Sequence, residues 1–418
     1  MEYTEAPESS PCVKLADLIA VEPEVFFKEY LGSEYLLSRR AELDGFPISI
    51  LKDEIIASIT SGGLRSSSVR LVKEGHDYTG ILGNTAPGDS SVAEPYVEPR
   101  RISGALAAGY TIVARSVHRY VPPANLLARQ LARQLGVPVR ITAYITPPGS
   151  RGLQWHYDAH DVFIVQLEGS KIWHVAPPQK KWPVVSLAWH RLRAAERETM
   201  IGNIQDIEEL HLETGDVLYL PRGYLHAPEA RKQLSIHMTI SVHPVTRFDL
   251  AQALIAEAVQ SEWWREAISV TSLIQSEEGA RDEILDIVAR LEQEAQSANA
   301  TQLIWSARDA SREEGVNWPV DFITQAAAIR DVHSFDRYST LPGLMWHLGA
   351  SSGETILYTE VGEYRLGTMG GDIAEVILSS PSIAVKDLAG RYDPDLVESL
   401  LVALLRSGVI RPVPEGKD

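Results

Sequence analysis

Residues 154–169 read QWHYDAHDVFIVQLEG, a polar stretch with His156, Asp158 and His160 at alternate positions, followed by an apolar run that ends at Gly169. On a β-strand the side chains at i and i+2 leave the same face. His156 and Asp158 can therefore offer an imidazole and a carboxylate to one metal ion, and the run behind them has strand composition. It is one of several such runs: VRITAYITPPG from 139, SKIWHVAPP from 170, HLETGDVLYLPRG from 211 and LSIHMTISVHP from 234. All are short, rich in β-branched and aromatic residues and closed by Gly, Pro or Asp. Strands repeated at such intervals predict an antiparallel barrel or jelly roll.

Around this core the period is helical. Residues 13 to 60 read as helix-rich, with EVFFKEYLGSEYLL setting Val25, Phe26, Tyr30 and Leu31 on one apolar stripe. Residues 61 to 104 are rich in Gly, Ser and Pro and predict long loops. ANLLARQLARQLG, 124–136, predicts an amphipathic helix stopped by Gly136. Helical pattern returns near 249, and RDEILDIVARLEQEAQ places Ile284, Ile287, Val288 and Leu291 on one side. That stripe must bury against this chain or a second copy. Residues 341 to 418 read helix, turn, helix and short β element, the order of a winged helix. The segment holds six basic and eleven acidic residues, a net −5. A DNA reader needs a basic face, so a packing or protein-contact role is expected.

Composition sets outer bounds. The 418 residues are 44% hydrophobic and 23% charged, with a net charge of −17, which disfavours nucleic acid and anionic membranes and favours encounter with a basic partner. The single cysteine, Cys12, excludes an internal disulfide and a cysteine zinc site. MEYTEAPESSP lacks the basic start and apolar core of a signal peptide, so a cytoplasmic protein is expected.

A third ligand must come from elsewhere, and His226 in GDVLYLPRGYLHAPEA is the candidate, delivered by a strand that runs into a Pro-Arg-Gly turn. Two histidines and one carboxylate leave coordination positions open, as in non-haem Fe(II) oxygenases. A rival pair, His211 and Glu213, has the same spacing but no distant histidine of its own. His160 shares the parity of His156 and Asp158 and reads as a neighbour, since three ligands complete the set. Lys171 opens the strand after the Glu168-Gly169-Ser170 turn. In isolation it is a hairpin-end lysine pointing into water. Inside a barrel it is costly unless paired, and it then suits the distal carboxylate of a dicarboxylate.

YITPPGSRGLQWHYDAHDVFIVQLEGSKIW and LETGDVLYLPRGYLHAPEA together resemble the JmjC-type cupin oxygenases, in particular the ribosomal-oxygenase branch and its bacterial relatives. The resemblance is dense from 109 to 243 and looser over most of the remaining chain. It implies an α+β fold: an N-terminal helical and loop region completing the barrel (1–108), a double-stranded β-helix core (109–246), a helical dimerisation region (247–340) and a winged-helix-like domain (341–418). It also implies that His156, Asp158 and His226 bind Fe(II) and that Lys171 binds the 5-carboxylate of 2-oxoglutarate. Tyr144 would assist Lys171 through its hydroxyl, and Ser241 would lie near the iron-proximal end of the cosubstrate. Thr142 stands where relatives often have Asn, which changes the contacts near the metal.

The expected activity is hydroxylation of a protein or peptide side chain, with a basic ribosomal protein favoured as partner and a homodimer as assembly. The alternatives are a tailoring hydroxylase of a ribosomally made peptide or small molecule and, in another class, a winged-helix DNA-binding regulator with a cupin sensor.

Overall fold

The computed structural model describes residues 13–413 apart from 44, 79–82, 85–94, 151, 270–276, 311–320, 342–343, 345, 352, 360–361, 368 and 381. The chain divides after Pro244 into two compact units.

The strands of the first unit are β1 (Leu36–Ser38), β2 (Val69–Lys73), β3 (His76–Tyr78), β4 (Gly83–Asn84), β5 (Tyr96–Val97), β6 (Thr111–Ala114) and β7 (Val139–Thr146). They continue with β8 (Asp161–Glu168), β9 (Ser170–Ala176), β10 (Glu208–Glu213), β11 (Val217–Leu220), β12 (Leu225–Glu229) and β13 (Ser235–Val242). An eight-stranded sheet runs in the order β1, β11, β8, β13, β7, β6, β2, β3, and a three-stranded sheet in the order β10, β9, β12. Every pairing in both is antiparallel.

The two sheets face each other across one apolar cluster that joins Val162 and Ile164 of β8 to Trp173 and Val175 of β9, Leu212 of β10, and Leu218 and Leu220 of β11. The period of two explains the choice of side chains: the residues between them turn to the other face of the large sheet. There Phe163 and Tyr219 pack their rings on Phe26, at 5.7 and 4.9 Å. The same layer includes buried Leu127, Ala128 and Leu131 of the helix Pro122–Leu135, which ends on Gly136 in the left-handed conformation. The turn from β8 to β9 pivots on Gly169 at φ +69°, where a Cβ would lie 2.0 Å from the Leu234 carbonyl oxygen.

Two N-terminal expectations change. The stripe of Val25, Phe26, Tyr30 and Leu31 reduces to one buried anchor, Phe26, while Val25 is exposed. The helix there is short and widens into a turn in which the Leu31 amide bonds the Phe26 carbonyl five residues back, so the helical spacing does not hold. The loop-rich segment 61–104 contributes β2 and β3 to the large sheet, because pairing with β6 organises residues whose local composition favours turns. Most of NTAPGDSSVAEP lies outside the described residues.

The second unit holds the helices Arg247–Ala258, Glu277–Ser297, Ala300–Ala310 and Phe322–Arg330, then β14 (Arg337–Thr340), β15 (Trp346–Ser351), β16 (Glu354–Thr359) and β17 (Gly362–Gly367). The helix Gly370–Ser379, β18 (Ile383–Ala384), the helices Val385–Ala389 and Pro394–Arg406, and β19 (Ile410–Val413) complete it. β15, β16 and β17 form an antiparallel meander that the helix-turn-helix reading of 341–418 did not contain. β14, ahead of residue 341, sits between β18 and β19 in the sheet beside the last helices. One core joins Ala328, Val332 and Tyr338 to Leu401, Leu404 and Ile410. Among the described residues no helix is long and apolar enough to cross a membrane.

Candidate metal centre

His156 precedes β8 and His226 is the second residue of β12, and their backbones pair: the His156 amide bonds the His226 carbonyl at 3.1 Å and the reverse bond is 2.8 Å. This bridge faces the two rings, whose centroids are 4.2 Å apart. Asp158 joins them through the Pro221-Arg222-Gly223 turn: the Gly223 amide donates to the Asp158 carbonyl at 3.0 Å, and the Arg222 amide to Asp161 Oδ1 at 2.9 Å. Gly223 sits at φ +92°, and a Cβ there would come within 2.6 Å of the Lys180 carbonyl oxygen.

The protonation pattern suits a cation. His156 Nδ1 lies 2.8 Å from the Gln154 carbonyl and His226 Nδ1 3.1 Å from the Tyr224 carbonyl. A carbonyl only accepts, so each Nδ1 carries a proton and Nε2 is the ring atom left to face a metal. Burial, and then the neighbouring His156, push the His226 imidazole down to about 4. It is thus neutral near pH 7, and its 3.6 Å approach to Asp158 Oδ2 is no ion pair despite the distance. Burial alone would raise the Asp158 carboxyl, but the imidazoles of His160, His226 and His156 hold it below its usual range. One ligand atom from each of His156, Asp158 and His226 lies within 4.8 Å of the other two. Two imidazoles and a carboxylate thus converge, a donor set fitted to a divalent metal.

The three residues line one pocket with Tyr144, Lys171, Trp173, His237 and Thr239. Lys171 is buried and donates to Thr146 Oγ1 at 2.9 Å, with His237 Nδ1 at 3.3 Å. Burial pushes its amine down to about 7. Burial also keeps His237 neutral, aided by Lys171. The hairpin-end reading of Lys171 fails because β9 alternation turns it inward with Trp173 and Val175. Tyr144 stacks on His237 at 4.6 Å and 5°, so it flanks the lysine through that ring, and the hydroxyl that holds Lys171 belongs to Thr146.

Thr142 and Ser241 lie on the same face of the large sheet, opposite Thr239 and Arg140 respectively, yet the pocket is lined by Thr239. His160 stacks on His243 at 4.7 Å. His211 is exposed on β10 and bonds Glu209 at 2.8 Å, with Glu213 exposed beside it. Among the described residues, that pair forms no part of a three-ligand cluster. Sequence reasoning missed Thr146, His237 and Trp173. A polar residue at inward parity on β7 and β13 was the available signal.

Residues 118–250 match the family model described as JmjC domain. The chain carries a JmjC domain. That JmjC domain spans β7 to β13 and contains all three candidate ligands. The chain is 27% identical to human Ribosomal oxygenase 1 over 205 residues, 49% of this chain and 30% of the relative. It is 31% identical to bovine Ribosomal oxygenase 2 over 228 residues, 53% of this chain and 46% of the relative. The chain thus spans less than half the length of either relative. Among solved structures it is similar to the Escherichia coli ribosomal oxygenase YcfD, with TM-score 0.56 and 14% identity over 94% of this chain and 98% of that one. A second YcfD structure, in complex with cobalt and 2-oxoglutarate, has TM-score 0.55 and 16% identity over 94% of this chain and 98% of that one. At these identities the likeness establishes the shared JmjC-cupin fold.

Proposed function

We propose that this protein is an Fe(II)- and 2-oxoglutarate-dependent hydroxylase of a protein or peptide side chain, with a ribosomal protein as the favoured substrate. The carrying observation is a single pocket lined both by a three-ligand donor set and by a buried lysine. His156, Asp158 and His226 would hold the metal, and Lys171 would pair with the distal carboxylate of 2-oxoglutarate, oriented by Thr146 and His237. When bound, Fe(II) supplies the chemistry by which O2 converts 2-oxoglutarate to succinate and CO2 and a substrate C–H to C–OH.

The protein's own contribution is arrangement. Trp173 packs edge-on against His237 at 5.3 Å and lies 5.8 Å from His226, so one buried ring touches both a metal ligand and the histidine beside Lys171. Its Nε1 is buried with no acceptor among the described residues, an orphaned donor that a ligand oxygen in this pocket would satisfy. Thr142 and Ser241, on the inward face, are assigned to the iron-proximal part of the cosubstrate, with Tyr144 covering its distal part.

The relatives' names and the −17 charge support a basic ribosomal partner. In the second unit, the helix-strand-helix-helix-strand succession from Gly370 to Val413 supports the winged-helix-like assignment, and the acidic balance there supports protein contact over DNA binding. The exposed apolar residues of Glu277–Ser297 support a homodimer, and a cytoplasmic location accords with a single cysteine. The test is incubation with Fe(II), 2-oxoglutarate and ribosomal proteins. Succinate and a one-oxygen mass gain are expected, both lost in His156→Ala along with stoichiometric metal binding. No succinate under any condition refutes the assignment.

A further inference from the structure

Lys171, Trp173 and His237 line one pocket with the triad, and its only lining carboxylate is Asp158. On β9 the residues Lys171, Trp173 and Val175 share inward parity, and Val175 is the register partner of His226 on β12. Trp173 therefore lies midway along the strand, about 7 Å from Lys171 and from Val175. An acid that reaches from the metal ligands to the lysine passes the indole. That indole is 3% exposed, and its Nε1 has no acceptor among the described residues. An indole nitrogen only donates, so the N–H stays unsatisfied until a ligand brings an acceptor.

His237 supplies a second donor through its tautomer. Its Nδ1 lies 3.3 Å from Lys171 Nζ, and among the described residues this is its hydrogen bond. A charged lysine has only protons to give, so Nδ1 accepts and the single proton of the neutral ring sits on Nε2. The ring is fixed from two sides: Tyr144 stacks flat on it at 4.6 Å, and Trp173 meets it edge-on at 5.3 Å. Nδ1 is thus spent on the lysine, and Nε2 is the atom left for a ligand. A carboxylate, which offers only acceptors, complements an ammonium, an imidazole N–H and an indole N–H together.

We propose that Lys171 Nζ, His237 Nε2 and Trp173 Nε1 form a three-donor cradle for the carboxylate oxygens of the bound acid, so that His237 and Trp173 touch the cosubstrate themselves. The inference rests on this pocket being the 2-oxoglutarate site of a hydroxylase. It deepens that reading by giving His237 a direct contact beyond its hold on Lys171, and by giving the Trp173 N–H a fixed role in cosubstrate affinity.

The test uses the full chain loaded with Zn(II) and titrated calorimetrically with N-oxalylglycine, the dicarboxylate analogue of 2-oxoglutarate. Trp173→Phe keeps a ring and removes the N–H, and binding is expected to weaken roughly tenfold or more, the scale of one hydrogen bond to a charged group. His237→Asn places an amide where Nδ1 stood and His237→Gln places one where Nε2 stood. Gln should therefore retain most of the affinity and Asn lose it roughly tenfold. If His237 served only to hold Lys171, the order would reverse, and that result overturns its part of the cradle. In wild type carrying isotope-labelled tryptophan, the indole N–H resonance that is missing from Trp173→Phe should shift when N-oxalylglycine is added. An unmoved resonance, or full affinity in Trp173→Phe, overturns the Trp173 contact, and the resonance decides even where a variant fails to fold. With Fe(II), the losses should fall on the 2-oxoglutarate KM and leave the peptide KM unchanged. Zn(II)-loaded wild type that binds no N-oxalylglycine at all would instead remove the 2-oxoglutarate reading, and the cradle with it.

Discussion

Lys171 is buried where its only described partners are a threonine hydroxyl and a neutral imidazole. Its amine falls to about 7 from the usual 10.5. Between those two pH values the unfolded chain binds more protons than the folded one, so stability rises with pH across the window, and the cost is fully present below about pH 7. A difference of 3.5 units corresponds to an upper bound of about 5 kcal/mol. Lys171→Met should therefore raise the unfolding midpoint at pH 6 and flatten its rise toward pH 10. The same variant should bind 2-oxoglutarate roughly ten- to hundredfold more weakly, the price of one charge-assisted contact. Urea denaturation at several pH values and calorimetric titration check both halves, and a Lys171→Met protein less stable than wild type at pH 6 would show that the lysine is already paired. His156 and Asp158 were legible as an alternately spaced pair, although the structure sets both ahead of β8 rather than on a strand, and Lys171 stood out by its place after the Glu168-Gly169-Ser170 turn. Thr146 and His237 were not, because they lie 25 and 66 residues from Lys171 and only the register of β7 and β13 brings them to it.

At the scale of elements, the strands of the JmjC domain were readable from β-branched runs and their turns, and the sheets contain them in antiparallel register. What the pattern could not supply was order within the sheet, since β1 joins one edge from a segment of helical pattern and β2 and β3 join the other from a region of turn-like composition. The Pro221–Gly223 turn shows how an element carries function. Its amides hold Asp158 and Asp161, and it hands the chain to β12 with His226 as the second residue. Gly223→Ala forces a Cβ against the Lys180 carbonyl at a positive φ, a strain of about 1–3 kcal/mol. The expected outcome is a matching loss in urea stability together with weaker metal binding, followed by titration with Co(II) and its visible absorption. Gly202→Ala, with no atom within 4 Å of the added carbon, is the control. Loss of stability in Gly223→Ala with unchanged Co(II) affinity would separate the turn from the centre.

For the whole molecule, the helix Glu277–Ser297 sets the clearest expectation. The sequence stripe of Ile284, Ile287, Val288 and Leu291 divides in the structure: Ile287 and Leu291 are half-buried, while Ile284, Val288 and the adjacent Leu285 remain 56–59% exposed. A helix of 21 residues is about 32 Å long. Such a length can present much of the roughly 800 Å² per partner that a stable interface needs, and three large aliphatic side chains exposed together on one helix make the kind of contiguous patch that marks an interface. Wild type should therefore sediment at twice the 46.2 kDa chain mass at micromolar concentration. A Leu285→Lys, Val288→Lys variant should sediment as a monomer, with its own fold little changed because both side chains already meet solvent. Its triad and Lys171 lie in the other unit, so metal stoichiometry per chain should be retained. A wild type that sediments at the single-chain mass would leave this face to a different partner, and the −17 charge would then point to a basic one, whose binding should weaken as salt is raised.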